Sequence, residues 1–246
     1  MHIRFSWPAF IATCFACAAF GQATVTAPRT PLAEQPLRMA KDIEAFEAHD
    51  RTHPPPKHAV LLSGASSLRM WKDVGEALAP LPVINRGFGG SYTTEVLGYM
   101  DRITLPYEPR VVVFHCGGND INAGDPPAAP LGRIRTYVDR LRAKNPDTAI
   151  VFMTTTLAPS RRGKWPLLAE FNQGLAAYVE QIANASLVDV NAALNLPGGE
   201  PRPDHYLPDD LHPSETGYAA IARLLKPAVN AAWEATAPAF AGRPPR

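Results

Sequence analysis

The feature that most constrains this chain is a series of short, unbroken apolar runs. Val111-Val112-Val113-Phe114 is the clearest, with Ala59-Val60-Leu61-Leu62 before it and Ala149-Ile150-Val151-Phe152-Met153 after it. A strand with one wet face alternates apolar and polar residues, so unbroken runs of this length read as strands buried on both faces. Val83-Ile84 and Leu187-Val188-Asp189-Val190 are shorter runs of the same kind. Between them the apolar residues change to helical spacing, as in Met39, Ile43 and Phe46, or Leu68, Trp71, Val74 and Leu78. The same spacing recurs in Leu131, Ile134, Val138 and Leu141, in Leu168, Phe171, Leu175 and Val179, and in Tyr218, Ile221 and Leu225. Strands alternating with helices require right-handed crossovers and a parallel sheet covered on both faces. The expected fold class is α/β: a three-layer α/β/α sandwich with a mainly parallel sheet of about five strands.

In such sheets ligands bind beyond the carboxyl ends of the strands, and the polar clusters here follow strands. The first run leads into Ser63-Gly64-Ala65-Ser66-Ser67, the second into Asn85–Ser91, read as a Gly-rich turn, and the third into His115-Cys116-Gly117-Gly118-Asn119-Asp120. Late in the chain Asp209-Asp210-Leu211-His212 precedes Pro213-Ser214 and a final helix. A serine hydroxyl is a poor nucleophile until a base takes its proton, and a histidine base needs a third group to fix its tautomer. Serine first and an Asp/His pair last supply those parts. Asp204-His205 is a second acid/base pair, read as loop residues or substrate contacts. His115 and Cys116 are adjacent on a strand and so point to opposite faces, which argues against a Cys/His pair. There is no Gly-x-Ser-x-Gly elbow, His-Glu-x-x-His, phosphate-binding P-loop or clustered Cys/His site. No cofactor and no metal is expected.

Taken together, Gly64-Ala65-Ser66-Ser67, Asn85–Ser91, Gly117-Gly118-Asn119-Asp120 and Asp209–His212 resemble the four blocks of the SGNH (GDSL-type) hydrolase superfamily. The resemblance runs from about Ala59 to Leu225 and implies an SGNH/flavodoxin-like fold. Ser66–Trp71 with Asn85–Gly90 is similar to an exported bacterial branch, and the overall pattern to platelet-activating-factor acetylhydrolase catalytic subunits. The resemblance implies Ser66 as nucleophile, His212 as general base and Asp209 as its orienting carboxylate. It also implies an oxyanion hole formed by the Ser66 N–H, Gly90 and Asn119. Ser67 is the rival nucleophile, with helix N-capping as its structural alternative, and Asp210 is the rival orienter. Ala65 stands where the namesake motif has Asp, a position outside the triad. Arg69, Arg86, Trp165 and the Arg161–Trp165 loop are candidate substrate contacts, with Trp71 as core or pocket. The implied substrate is a small-molecule ester: an acylated sugar, a lysolipid or a short-chain ester. A non-catalytic carbohydrate- or lipid-binding module on the same fold is the alternative reading.

The remaining sequence features give an address. Arg4 and the run Ala9–Phe20, followed by Gly21-Gln22-Ala23, have the layout of a signal peptide over residues 1–23. The expected protein is exported, periplasmic or secreted, with no stable membrane span in its mature form; an uncleaved anchor is the alternative. Cys14 and Cys17 fall inside that run, leaving Cys116 without an intramolecular partner. The formal charge of +1 is balanced and not clustered, so no nucleic-acid partner is expected. The 26 prolines, about twice the ordinary share, gather in loops and at the C-terminus. The expected layout is a lead-in and helix over 24–57, an SGNH hydrolase domain over 58–233 and a loose Ala/Pro-rich tail over 234–246.

Overall fold

The apolar runs become five strands: β1 (Val60–Gly64), β2 (Val83–Gly87), β3 (Val111–His115), β4 (Ala149–Met153) and β5 (Ala185–Val188). The computed structural model describes residues 34–242. The expected signal peptide, and with it Cys14 and Cys17, lies outside them. All five strands pair in parallel in the order β2-β1-β3-β4-β5. This is a doubly wound, flavodoxin-like sheet, and its topological switch point lies between β1 and β3.

The helices are α1 (Ala40–Thr52), α2 (Ser66–Arg69), α3 (Val74–Ala77), α4 (Thr93–Gly98), α5 (Met100–Ile103) and α6 (Gly118–Ala123). They continue as α7 (Ala128–Lys144), α8 (Trp165–Val179), α9 (Asn191–Leu194), α10 (Glu215–Ala235) and α11 (Ala237–Phe240). Alternation along the strands sorts the core into two halves. Val112, Phe114, Ile150 and Phe152 face a layer containing Ile43, Val96, Met100, Tyr137, Leu141 and Phe171. Val111, Val113, Val151 and Met153 face the opposite layer, with Leu68, Trp71, Ile221, Leu225 and Val229. Each fully buried side chain of this kind stabilises the fold by about 1.5–3 kcal/mol before entropy is subtracted. Among the described residues, no helix is long and apolar enough to cross a membrane.

Three local expectations are corrected. The apolar face Leu68, Trp71, Val74 and Leu78 is buried as anticipated, but the expected helix is broken: Leu68 lies on α2 and Val74 on α3, with Trp71 between them and Leu78 at the C-terminal cap of α3. Asn85 intercepts α2, its Nδ2 donating to the Leu68 carbonyl at 2.7 Å. Asn85, Arg86 and Gly87 extend β2 instead of forming a turn, because Gly64 at the end of β1 pairs with Gly87. The expected loose tail is helical through Phe240. Its anchor is Arg110, whose Nε donates to Thr236 Oγ1 at 3.0 Å and whose guanidinium lies 4.1 Å from the Trp233 ring centroid.

Candidate active site

Four segments meet at the C-terminal edge of the sheet. β1 ends at Gly64, whose φ of 149° lets it pass against β3; a Cβ there would sit 2.0 Å from the His115 carbonyl oxygen. That carbonyl accepts the Ala65 N–H at 3.0 Å, so the chain turns sharply and Ser66 becomes the first residue of α2. Tyr218 of α10 fixes the turn from the other side, its hydroxyl donating to the Ser67 carbonyl at 2.7 Å.

The opposing segment is the loop before α10. Its backbone is pinned by Leu207 N–H to His212 O at 2.8 Å and Asp210 N–H to Leu207 O at 2.9 Å. Asp209 Oδ1 accepts the N–H groups of Leu211 and His212, each at 3.0 Å. Its Oδ2 lies 2.6 Å from His212 Nδ1, and His212 Nε2 lies 2.8 Å from Ser66 Oγ. A carboxylate only accepts, so Nδ1 carries the ring proton and Nε2 is left to accept from Ser66. Burial pushes the Asp209 carboxyl up, but the hydrogen bonds from the His212 ring and from the backbone N–H groups of His212 and Leu211 outweigh it and hold the carboxyl at about 2.

The structure therefore brings Ser66, His212 and Asp209 into one hydrogen-bonded line and leaves their neighbours out of it. His212 Nε2 faces Ser66, not Ser67. Ser67 is not an N-cap either, since Ala65 holds that position without a side-chain bond. Asp210 turns away, with φ of 54° and its carbonyl accepting from Ser160. Asp204 and His205 pair with each other at 3.1 Å, and the His205 carbonyl receives the Ser214 N–H that helps to start α10.

Asn119 enters from the start of α6. Its Nδ2 donates to the Ser91 carbonyl at 3.0 Å, which leaves its second N–H for the cleft. Gly90 lies in the β2–α4 turn with φ of 65°, its carbonyl accepting from Arg38 at 2.9 Å. Among the described residues, the backbone N–H groups of Ser66 and Gly90 donate to no acceptor. Buried Asp120 joins this turn to α6: its carboxylate accepts the Thr93 N–H at 3.1 Å and Arg133 at 2.9 Å. Burial nevertheless raises that carboxyl to about 6.

Of the candidate substrate contacts, none of Arg69, Arg86 and Trp165 lines the cleft around Ser66. Arg69 lies over Gly89 at the surface. Arg86 is 6% exposed and is held by Asp50 and Tyr107, joining α1 to the sheet. Trp165 donates from its indole to the Ala158 carbonyl at 2.9 Å and packs on the core, which anchors the start of α8. Arg161, four residues before Trp165, does line the cleft, along with Thr155, Thr156 and His115. The two threonines were missed in the sequence, although they follow β4 on the same edge that carries the other clusters. Cys116 is buried beside Asn119, and burial raises its thiol well above the ordinary range, so it stays a thiol rather than a thiolate.

A doubly wound parallel sheet with a carboxylate, an imidazole and a serine hydroxyl in line beyond its strands defines an α/β enzyme of acyl-ester chemistry. The chain belongs to the GDSL-like lipase/acylhydrolase family, which it matches over residues 61–220, and it is an ester-hydrolysing enzyme. A comparison with curated proteins finds no match. Among solved structures, it is similar to a Bacteroides fragilis protein assigned as an acylhydrolase, at 21% identity and a TM-score of 0.70, covering 80% of this chain and 99% of that one. It is also similar to a GDSL-like lipase from Bacteroides thetaiotaomicron, at 18% identity and a TM-score of 0.68, covering 78% and 98%. A carbohydrate esterase family 3 protein from Talaromyces cellulolyticus gives 17% identity and a TM-score of 0.57, covering 72% and 98%. At these identities the structural likeness speaks for the fold.

Proposed function

We propose that this protein is an exported serine esterase that cleaves small carboxylic esters through an acyl-enzyme. The observation that carries the reading is the line from Asp209 through His212 to Ser66, with contacts of 2.6 and 2.8 Å. Ser66 Oγ attacks the ester carbonyl while His212 Nε2 takes its proton, and Asp209 stabilises the imidazolium that forms. The carbonyl oxygen becomes an oxyanion received by the N–H groups of Ser66, Gly90 and Asn119. His212 then returns the proton to the leaving alcohol. Water, deprotonated by the same imidazole, hydrolyses the acyl-enzyme and frees Ser66.

The free Ser66 N–H and the Asn119 amide, which line one cleft, support the oxyanion assignment; Gly90 does not line that cleft, and its part rests on the family resemblance and on an N–H that is free among the described residues. Acylated sugars, lysolipids and short-chain esters are the substrates in view, and the signal-like residues 1–23 support a periplasmic or secreted location. The test is hydrolysis of short- and long-chain nitrophenyl esters and acetylated sugars by wild type, Ser66→Ala and Ser67→Ala. Activity is expected to vanish in Ser66→Ala and persist in Ser67→Ala. An inactive wild type that a serine-directed fluorophosphonate leaves unlabelled at Ser66 would overturn the reading.

A further inference from the structure

Arg161 is the cation in the cleft for which the mechanism above has no use. Its guanidinium is largely buried, and among the described residues no carboxylate lies within ion-pair range of it. Its Nη2 donates to Asn119 Oδ1 at 2.5 Å, and its Nη1 lies over Gly118, where an added Cβ would stand 3.0 Å away. The 3-10 segment that carries it (Pro159–Lys164) is tied to the His212 segment, since Ser160 donates from both N–H and Oγ to the Asp210 carbonyl, at 3.0 and 2.9 Å. Arg161 thus joins a segment hydrogen-bonded to the one that bears the base to the residue assigned to the oxyanion.

We propose that Arg161 is a positioning residue that locks the Asn119 amide with its one free N–H toward the cleft. The chemistry of the two contacts fixes the orientation. A guanidinium can only donate and a backbone carbonyl can only accept, so Arg161 must face Oδ1 and Ser91 must face Nδ2. A flipped amide would set N–H groups against the guanidinium and Oδ1 against the Ser91 carbonyl, and would point an acceptor at the oxyanion. The positive charge at Oδ1 also draws electron density through the amide, which makes the remaining Nδ2–H a better donor. This inference rests on the esterase reading and on Asn119 as an oxyanion donor.

The test uses the full-length protein with 4-nitrophenyl acetate and compares wild type, Asn119→Ala, Arg161→Met and the double variant. Methionine keeps the aliphatic packing of the stem without a donor. Losing one oxyanion donor costs about 10²–10³ in rate, so losing its orienter is expected to cost roughly 10–100-fold in kcat. KM is expected to hold within about twofold, because the oxyanion exists only in the transition state. The double variant is expected to be no slower than Asn119→Ala alone. A raised KM, an unchanged kcat, or losses that multiply in the double variant would each overturn the inference while leaving the esterase reading intact. A wild-type rate in Asn119→Ala would instead remove the donor assignment, and the inference with it. Should Arg161→Met melt too low to assay, Arg161→Lys in the same cycle carries the test. It keeps a cation and a donor, so it is expected to retain activity within about tenfold and to be non-additive with Asn119→Ala.

Discussion

Asp209 holds His212 at two points: Oδ2 faces the ring Nδ1 at 2.6 Å, and Oδ1 accepts the residue's own backbone N–H at 3.0 Å. Ring tautomer and loop backbone are therefore set by one carboxylate. Asp209→Asn separates the two jobs, because an amide oxygen can still accept the backbone N–H while its NH2 cannot accept from Nδ1. The ring is then pushed to the wrong tautomer. The expected result is a fall in kcat of roughly 10³–10⁴-fold with the melting temperature little changed. Asp210→Asn, one residue along and turned away, is expected to stay close to wild type in the same assay.

Arg86 was a candidate substrate contact by its place in the second block, and its surroundings make it structural. The side chain is 6% exposed, bonds both Asp50 oxygens at 2.6 and 2.7 Å, and lies between the rings of Phe46 and Tyr107. Removing one partner of a mostly buried pair leaves the other charge uncompensated and costs about 3 kcal/mol. Arg86→Ala is expected to lose that much in denaturant unfolding, with kcat and KM of the remaining folded enzyme near wild type.

Gly64→Ala tests the close approach of β1 and β3. Its Cβ would fall 2.0 Å from the His115 carbonyl oxygen, a backbone atom that cannot swing aside, at a φ of 149° that other residues rarely adopt. The expected loss exceeds about 4 kcal/mol, seen as aggregation or a collapsed melting transition. A soluble, active Gly64→Ala would mean that the strand ends can part.

Most of the fold was legible because each strand is buried on both faces and so writes an unbroken apolar run, as in Val111–Phe114. The α2–α3 break was not, because it depends on Asn85, a long-range donor to Leu68 O that no local pattern announces. The same holds for the last helices: Ala- and Pro-rich sequence reads as loose, yet Arg110, more than 100 residues upstream, captures Thr236 and Trp233. At the site, Ser66, Asn119, Asp209 and His212 sit in motifs whose spacing is local. The roles of Arg86, Trp165 and Arg161 depend on what they meet across the fold, and composition does not encode that.

His115 gives the pH prediction. It lies at the end of β3 beneath the cleft, with its Nδ1 buried and without a partner in the described structure. Burial lowers its imidazole from an ordinary value of 6.5 to about 4, with the Arg161 charge adding to the shift and backbone hydrogen bonding at Met153 and Thr154 opposing it. A base whose pKa is depressed by folding binds fewer protons in the native than in the unfolded chain between those two values. Its neutral form therefore contributes stability that is fully present above pH 6.5 and lost as pH falls toward 4. The span corresponds to a loss on the order of 3 kcal/mol at the acid end. His115→Asn removes the titrating group while keeping the backbone carbonyl that receives Ala65 N–H. Denaturant unfolding at intervals from pH 7 to pH 4 is expected to show a shallower decline for His115→Asn than for wild type. Parallel curves would place the acid sensitivity elsewhere in the fold.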